Sequence, residues 1–126
     1  MPLVRISVMK GRTEGFGKMV GEIVYHAMVD TINVPAKDHF QVITEHDKNS
    51  LIYDRSYLDI PRTDGVIFIQ ITLNEGRTVE LKKAFYKAVA ERLNKELGVR
   101  LEDVLINLVE VKKENWSFGN GVAQYA

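Results

Sequence analysis

Hydrophobic positions along the chain follow two spacings, one typical of strands and the other of helices. Residues 3–8 form a short apolar run rich in Val and Ile, which predicts a strand. Apolar residues at helical spacing come next and predict a helix that ends near Asn33, before Pro35. These residues are Phe16, Met19, Val20, Ile23 and Ala27. Residues 39–45 predict a second strand, so the first part of the chain reads strand, helix, strand.

The same order returns in the second half of the chain. Residues 66–73 predict a strand, and residues 104–111 predict the last long strand. Between them, an apolar stripe at helical spacing predicts a helix that Gly98 closes. The stripe consists of Leu81, Phe85, Ala88, Val89 and Leu93.

The two halves align with each other, without a gap, at an offset of 65 residues. The Gly-Arg-Thr segment at residues 11–13 matches the Gly-Arg-Thr segment at residues 76–78, and Asp38 matches Asp103. Self-similarity at a fixed offset is typical of a duplicated supersecondary unit. The chain therefore predicts two copies of one β-α-β unit.

We expect one domain over residues 1–126, made of pseudo-repeats 2–49 and 67–114 that a loop segment joins. A helix crossover makes the two strands of each unit parallel. Two units side by side give an α+β fold, with a four-stranded mixed sheet and both helices on one face. Because the other face also carries apolar residues and no further helix is predicted, we expect a cyclic oligomer to cover it.

Three local features complete the expected fold. Thr13 is a candidate N-cap of the first helix, and Gly21 would let that helix lie close to the sheet. Residues 45–65 are loop-like but carry apolar side chains, so we expect a short strand there that lies across a neighbouring subunit. The aromatic and glycine residues at 116–121 predict a turn or hairpin.

Composition excludes several classes of function. The 17 basic and 17 acidic residues balance, which argues against a general nucleic-acid or anionic-membrane surface. The chain has no cysteine, so disulfides, zinc–thiolate sites and a cysteine nucleophile are excluded. Its three histidines lack metal-ligand spacing, and we expect neither metal nor cofactor. No apolar run reaches the roughly 20 residues of a membrane span, and the chain begins directly on a strand-like pattern, so we expect a cytoplasmic protein.

Several segments, taken in order along the chain, resemble the tautomerase superfamily, and within it the malonate semialdehyde decarboxylase-like members. The segments are Met1-Pro2-Leu3, Gly11-Arg12-Thr13, Ala27-Met28-Val29, Val34-Pro35-Ala36-Lys37-Asp38, Phe85-Tyr86-Lys87, Leu108-Val109-Glu110 and Trp116-Ser117-Phe118-Gly119. The resemblance covers essentially the whole chain. It implies a homotrimer with an active site around each amino-terminal proline, and a small carboxylate as substrate.

Pro2 is the candidate catalytic base. Removal of Met1 would leave Pro2 with a secondary amine at the start of a strand. An α-amino group has a pKa near 8 in model peptides, and burial or a nearby cation favours its neutral form. A neutral amine can take a proton from the carbon between two carbonyl groups and return it elsewhere, which is keto–enol tautomerisation. The competing interpretation is an ordinary proline at a strand edge.

Five other residues are candidates for the site. Arg77 can bind a carboxylate through two N–H groups and stabilise an enolate, and Arg12 occupies the matching position in the first repeat. A cation is poorly placed at a helix N-terminus, which favours a functional role for both. The resemblance implies that Asp38 orients substrate or water, although its match with Asp103 also fits a shared turn. Trp116 and Phe118 would form an apolar wall.

Tautomerisation of small 2-oxo or 2-hydroxy-dienoate acids is the function that the sequence favours. The decarboxylase pattern has two arginines one residue apart, whereas this chain keeps Arg77 and has Glu75 at the other position. Decarboxylation of a 3-oxo acid such as malonate semialdehyde, hydration of an unsaturated acid and a non-catalytic trimeric binding module remain alternatives. Tyr53, Tyr57 and His46 could reach a neighbouring site, and the sequence does not choose among them.

Overall fold

Two helices and a four-stranded sheet form the fold of the computed structural model, which describes residues 2–126. Met1, whose removal the sequence predicts, lies outside the described residues. The elements are β1 (Leu3–Met9), α1 (Phe16–Thr31), β2 (Gln41–His46), β3 (Ile67–Asn74), α2 (Val79–Leu97) and β4 (Val104–Val111). Three short 3-10 turns occupy Tyr57–Asp59, Leu101–Asp103 and Lys113–Asn115.

The sheet is mixed, as the sequence predicted. Its strand order is β2-β1-β3-β4. The outer pairs, β1 with β2 and β3 with β4, are parallel, whereas the two central strands β1 and β3 are antiparallel. Each parallel pair is the product of one helix crossover, so the predicted α+β fold is confirmed.

The register of the central pair relates the two halves by an approximate two-fold rotation. Arg5 pairs with Gln70, the residue that lies 65 positions further along the chain. Leu3 pairs with Thr72, and Ser7 pairs with Phe68. Phe68 lies 65 positions after Leu3 and Thr72 lies 65 positions after Ser7, so the offset converts one pair into the other. The rotation axis therefore passes between Arg5 and Gln70. The boundaries proposed for the two repeats stay a prediction.

The hydrophobic core lies between one face of the sheet and the two helices. Alternate residues of β1 and β3 point into it, and the helices contribute an apolar stripe each. Its largest fully buried side chains include Phe85, Ile6, Met28, Ile32, Ile67, Ile69, Ile71, Leu73 and Leu93. Burial of these side chains contributes roughly 1.5–3 kcal/mol each relative to exposure.

The opposite face of the sheet is only partly covered. Leu51 of the linker packs with Met9 and Val66, and this small cluster also contacts Phe68 on that face. Val42 and Leu105, by contrast, keep 44% and 41% of their surface exposed. The apolar residues that the sequence predicted on this face are therefore present, next to the polar side chains of Arg5, Gln70 and Asn107, and residues 2–126 cover the face only in part.

Four local expectations about helix ends, the linker and the tail meet different outcomes. Gly98 closes α2 in the left-handed conformation, with φ of 67°, as predicted. The expectation for Thr13 is wrong, because the N-cap of α1 is Gly15, at φ of 76°, and no side chain caps this helix. The linker between β2 and β3 carries no strand, only the 3-10 turn at Tyr57–Asp59, and the tail after β4 forms turns without a strand.

Two glycines bring α1 close to β2. The main-chain carbonyl of Gly21 accepts a hydrogen bond from Nε2 of Gln41 at 2.8 Å, so the predicted close approach is confirmed. At Gly17 the backbone of α1 packs against the side chain of Ile43 in β2. A Cβ atom at residue 17 would lie 2.6 Å from Cγ2 of Ile43. Ile43 is β-branched and has few alternative rotamers, so it cannot readily yield that space.

We expect Gly17→Ala to destabilise the protein even though alanine favours helices by about 1 kcal/mol over glycine. Overpacking costs typically about 1–3 kcal/mol, which outweighs that gain. Urea unfolding should show a net loss of up to about 2 kcal/mol, while Lys18→Ala at the neighbouring exposed position should be nearly neutral. Increased stability in Gly17→Ala would contradict this account of the packing.

Candidate active site

Strand register brings three distant parts of the chain to one end of the sheet. β1 begins there, and the main-chain N–H of Val4 donates to the carbonyl of Phe40 at 3.0 Å, which extends the β1–β2 pairing towards residue 38. Because β3 runs antiparallel to β1, its last residue, Asn74, and the turn that carries Arg77 reach the same end. β4 also ends there and leads into the tail that carries Trp116.

A small apolar cavity of about 210 Å³ opens at this end, and Pro2 lines it. The remaining lining residues are Leu3, Phe40, Trp116, Ser117 and Phe118. The rings of Trp116 and Phe118 stack with centroids 5.5 Å apart and planes at 16°. The structure thus brings together three of the predicted site residues, Pro2, Trp116 and Phe118.

Arg77 is held against the backbone beside this cavity. Its Nε donates to the carbonyl of Ile32 at 2.7 Å, and its Nη1 donates to the carbonyl of Asn74 at 3.1 Å. A guanidinium has five N–H groups, so three remain for other acceptors. Burial lowers the pKa of Arg77, and the carboxylates of Asp38 and Glu110 oppose that effect.

Asp38 is one of two buried acidic side chains among residues 2–126, with 8% of its surface exposed. Its main-chain N–H donates to the carbonyl of Pro35 at 3.0 Å, and the matching N–H of Asp103 donates to Arg100 at 3.0 Å, so both residues shape the same turn. Burial raises the pKa of Asp38, and the positive charge of Arg77 opposes that rise. Asp38 therefore takes part in a turn, and its charge interacts with that of Arg77.

Arg12 lies elsewhere in the chain. It follows the C-terminal end of β1, which is roughly 20 Å from the start of that strand. Its Nη2 donates to the carbonyl of Gly65 at 2.9 Å, and its guanidinium stacks over the ring of Phe16 at 4.4 Å. Within one chain, the structure does not bring Arg12 to the end of the sheet where Pro2 lies.

The other polar candidates also lie away from Pro2. His46 ends β2 and shares a shallow surface depression with Arg12 and Lys48. The hydroxyl of Tyr53 donates to Asp64 at 2.6 Å, and Tyr57 is exposed on the linker. A role for any of them at a neighbouring subunit stays a prediction.

Sequence reasoning missed several residues of the cavity, Leu3, Phe40 and Ser117, and also Asn74 behind it. Oδ1 of Asn74 accepts a hydrogen bond from Nε1 of Trp116 at 2.8 Å. One signal could have marked Asn74: its partner 65 residues earlier is Met9, so the apolar match between the repeats breaks there.

The part of the chain that the structure describes offers no metal centre. Among residues 2–126, no group of three or more His, Asp or Glu side chains could hold a metal ion. Neither helix of the described chain is long and apolar enough to cross a membrane. What this end of the sheet does offer is the ring of Pro2, the guanidinium of Arg77 and an apolar wall.

Comparison with known proteins identifies the family. Two family models described as tautomerase enzyme match the chain, one over residues 38–119 and the other over residues 2–56. The chain belongs to the tautomerase family. The probable tautomerase YusQ of Bacillus subtilis is 46% identical over 98% of both chains. The probable tautomerase YrdN of the same organism is 33% identical over 99% of this chain and 96% of its own.

Solved structures of tautomerase-like proteins match the same fold. A malonate semialdehyde decarboxylase superposes with a TM-score of 0.89 at 30% identity, covering 98% of this tautomerase and 95% of that chain. The FG41 malonate semialdehyde decarboxylase, inhibited by 3-bromopropiolate, gives a TM-score of 0.90 at 34% identity, with coverage of 98% and 93%. The symmetric trimer of a fused 4-OT is 23% identical, with a TM-score of 0.79 and coverage of 98% and 97%, and shows the fold alone.

The two carboxylates near Arg77 should make opposite contributions to the pH dependence of stability. Burial raises the pKa of Asp38 in the folded protein. The stability that this shift contributes is fully present below the pKa of the unfolded chain, about 3.9, and it is lost as pH rises through the pKa of the folded protein. The hydrogen bond from Lys82 lowers the pKa of Glu110, so its contribution is present above the unfolded value of about 4.3 and is lost as pH falls.

We therefore expect the difference in unfolding free energy between variant and parent to change with pH in opposite directions. Asp38→Asn should gain stability relative to the parent as pH rises from about 4 to 7, and Glu110→Gln should lose it as pH rises from about 3 to 5. Urea unfolding at several pH values measures both. Parallel pH profiles for the two variants would contradict the assignment.

Proposed function

We propose that this protein is a cofactor-independent tautomerase that isomerises small 2-oxo or 2-hydroxy-dienoate acids, with Pro2 as general base after Met1 is removed. The observation that carries the proposal is the shared cavity of Pro2, Trp116 and Phe118, with Arg77 held beside it. Family membership supports the reaction class, because two tautomerase models match the chain.

The apolar wall supports the role of Pro2. An environment of aromatic and aliphatic side chains disfavours an ammonium ion, so it favours the neutral amine that a base requires. Pro2 is buried at the start of β1 and lines the cavity directly. In the proposed reaction, the Pro2 nitrogen moves a proton between a carbon and the enol oxygen of the conjugated acid, so the substrate loses one proton and gains one.

Arg77 supplies the charge that such a reaction needs. Two of its N–H groups are fixed on the carbonyls of Ile32 and Asn74, which orients the guanidinium before a ligand arrives. The free N–H groups can bind a substrate carboxylate and stabilise the negative charge that develops on the enolate. Asp38, which interacts electrostatically with Arg77, is placed to orient the substrate or a water molecule.

The proposed assembly is a homotrimer. The partly exposed open face, with Val42, Leu105 and Val109, gives each subunit an apolar surface to bury. A symmetric trimer of a fused 4-OT has the same fold. The zero net charge of the chain presents no general electrostatic barrier to self-association and no basic surface for a nucleic acid.

Decarboxylation of a 3-oxo acid is the second candidate function. The two malonate semialdehyde decarboxylase structures, at 30% and 34% identity over nearly the whole chain, favour it. The buried carboxyl of Asp38 and the guanidinium of Arg77, which interact electrostatically, would supply an acid and a cation for that reaction. Assays of one preparation with phenylenolpyruvate and with malonate semialdehyde distinguish the two activities.

Pro2→Ala should reduce kcat by at least about 100-fold, because it replaces the secondary amine of the base and its fixed ring. Pro61→Ala, at an exposed linker position, is the matched control and should retain full activity. Intact-mass measurement of each preparation establishes whether Met1 is absent. Full activity in a preparation that uniformly retains Met1 would overturn the role of Pro2.

Arg77→Ala should lower kcat/KM by about 100-fold or more, because a charged hydrogen-bond donor to the developing enolate is lost. Arg12→Ala, its counterpart in the first repeat, should change kcat/KM by less than about threefold if each site uses one arginine of its own chain. Comparable losses in both variants would show that both arginines serve the site, and unchanged kcat/KM in Arg77→Ala would remove it from the mechanism.

A further inference from the structure

Asn74 connects the two halves of the candidate site through two different oxygen atoms. Its side-chain Oδ1 accepts the hydrogen bond from Nε1 of Trp116 at 2.8 Å. Its main-chain carbonyl accepts the hydrogen bond from Nη1 of Arg77 at 3.1 Å. Asn74 is the last residue of β3, so both bonds start from a position that the central sheet fixes.

Trp116 depends on this bond more than a residue in a regular element would. It follows the 3-10 turn at Lys113–Asn115 and belongs to a tail that forms neither helix nor strand. An indole N–H is a donor only, and its bond to Asn74 is the one hydrogen bond that the Trp116 side chain makes within residues 2–126. Stacking on Phe118, which lies on the same tail, cannot by itself fix the pair to the sheet.

We propose that Asn74 is a positioning residue, which sets the aromatic wall at a fixed place relative to the guanidinium of Arg77. This inference rests on the proposed function, in which Pro2, Arg77 and Trp116 act on one substrate. The substrate carboxylate is then held at Arg77 while the rest of the molecule lies against Trp116. Asn74 fixes the spacing between these two contacts.

The comparison between the repeats supports a local role at this end. The partner of Asn74 is Met9, a buried residue in the small cluster with Leu51 and Val66. At the end of β1, where no counterpart of Pro2 is present, an apolar side chain therefore occupies the position that corresponds to Asn74. The polar side chain occurs at the end where an indole N–H needs an acceptor.

The test uses Trp116 as its own probe, because it is the only tryptophan in the chain. Asn74→Ala removes the side-chain acceptor and leaves the main-chain carbonyl for Arg77. We expect a shifted emission maximum, faster quenching by acrylamide and a rise of about tenfold in KM for phenylenolpyruvate, with a smaller change in kcat. Asn74→Asp keeps an oxygen acceptor at Oδ1 and should retain the emission of the parent.

Two further variants separate positioning from general destabilisation. Asn94→Ala removes a comparable asparagine bond, from Nδ2 to the carbonyl of Val99 at 3.0 Å, near the C-terminus of α2, and should leave emission and KM unchanged. Trp116→Phe lacks the donor, so adding Asn74→Ala to it should raise KM no further. Additive effects in the double variant, or unchanged emission and KM in Asn74→Ala, would overturn the inference.

Failure of the inference and failure of the proposed function have different signatures. If Pro2→Ala stays fully active, the proposed function fails, whatever the emission of Trp116 shows. If Pro2→Ala is inactive and Asn74→Ala keeps the parental emission and KM, the function stands and Asn74 has no positioning role.

Discussion

The antiparallel pairing of β1 with β3 is the constraint on which the rest of the structure depends. Parallel pairing within each unit follows from the helix crossover, but nothing local fixes how the two units meet. The pair Arg5 and Gln70 sets that register. A shift of one residue between the two strands would move the buried side chains of the shifted strand to the open face. With this register, the end of β3 and the turn at Arg77 lie beside the start of β1.

The same two-fold relation makes the two ends of the sheet equivalent in backbone arrangement, but the residues at the two ends differ. At one end, Pro2 immediately precedes β1, and within residues 2–126 only two N–H groups of Arg77 donate to main-chain carbonyls. At the other end, the position that corresponds to Pro2 is Ile67, inside the chain. There the chain just before β3 bonds to Arg12, the counterpart of Arg77, because the carbonyl of Gly65 accepts a hydrogen bond from its guanidinium.

The acidic residues show the same contrast. Asp103, the counterpart of Asp38, is 2% exposed, and it accepts hydrogen bonds from both the main-chain N–H and the hydroxyl of Thr63, at 2.8 and 2.6 Å. The linker therefore closes the second copy of the site with its own polar groups. A duplicated unit thus yields one open site, and the difference arises from chain connectivity more than from residue type.

Much of this fold could be predicted from the sequence, because strands, helices and repeats are encoded in local patterns. β4 and the closure of α2 by Gly98 were predicted correctly from periodicity and turn chemistry. The capping expectation for Thr13 failed because a left-handed glycine, Gly15, starts the helix instead. The role of Asn74 was missed because its two partners lie on different segments, and only the strand register brings them together.

The two candidate reactions make different demands on the guanidinium of Arg77. In tautomerisation, a guanidinium that binds the carboxylate can also stabilise the adjacent enolate, because both groups stay on the product. In decarboxylation, the carboxylate leaves as carbon dioxide, so a tight grip on it stabilises the ground state rather than the transition state. With a second cation, one could bind the carboxylate and the other could stabilise the enolate. The residue at the position where the decarboxylase pattern has its other arginine is Glu75, which is exposed and whose main-chain N–H donates to the carbonyl of Val111 at 2.9 Å. We therefore propose that Arg77 serves the reaction in which the carboxylate is retained.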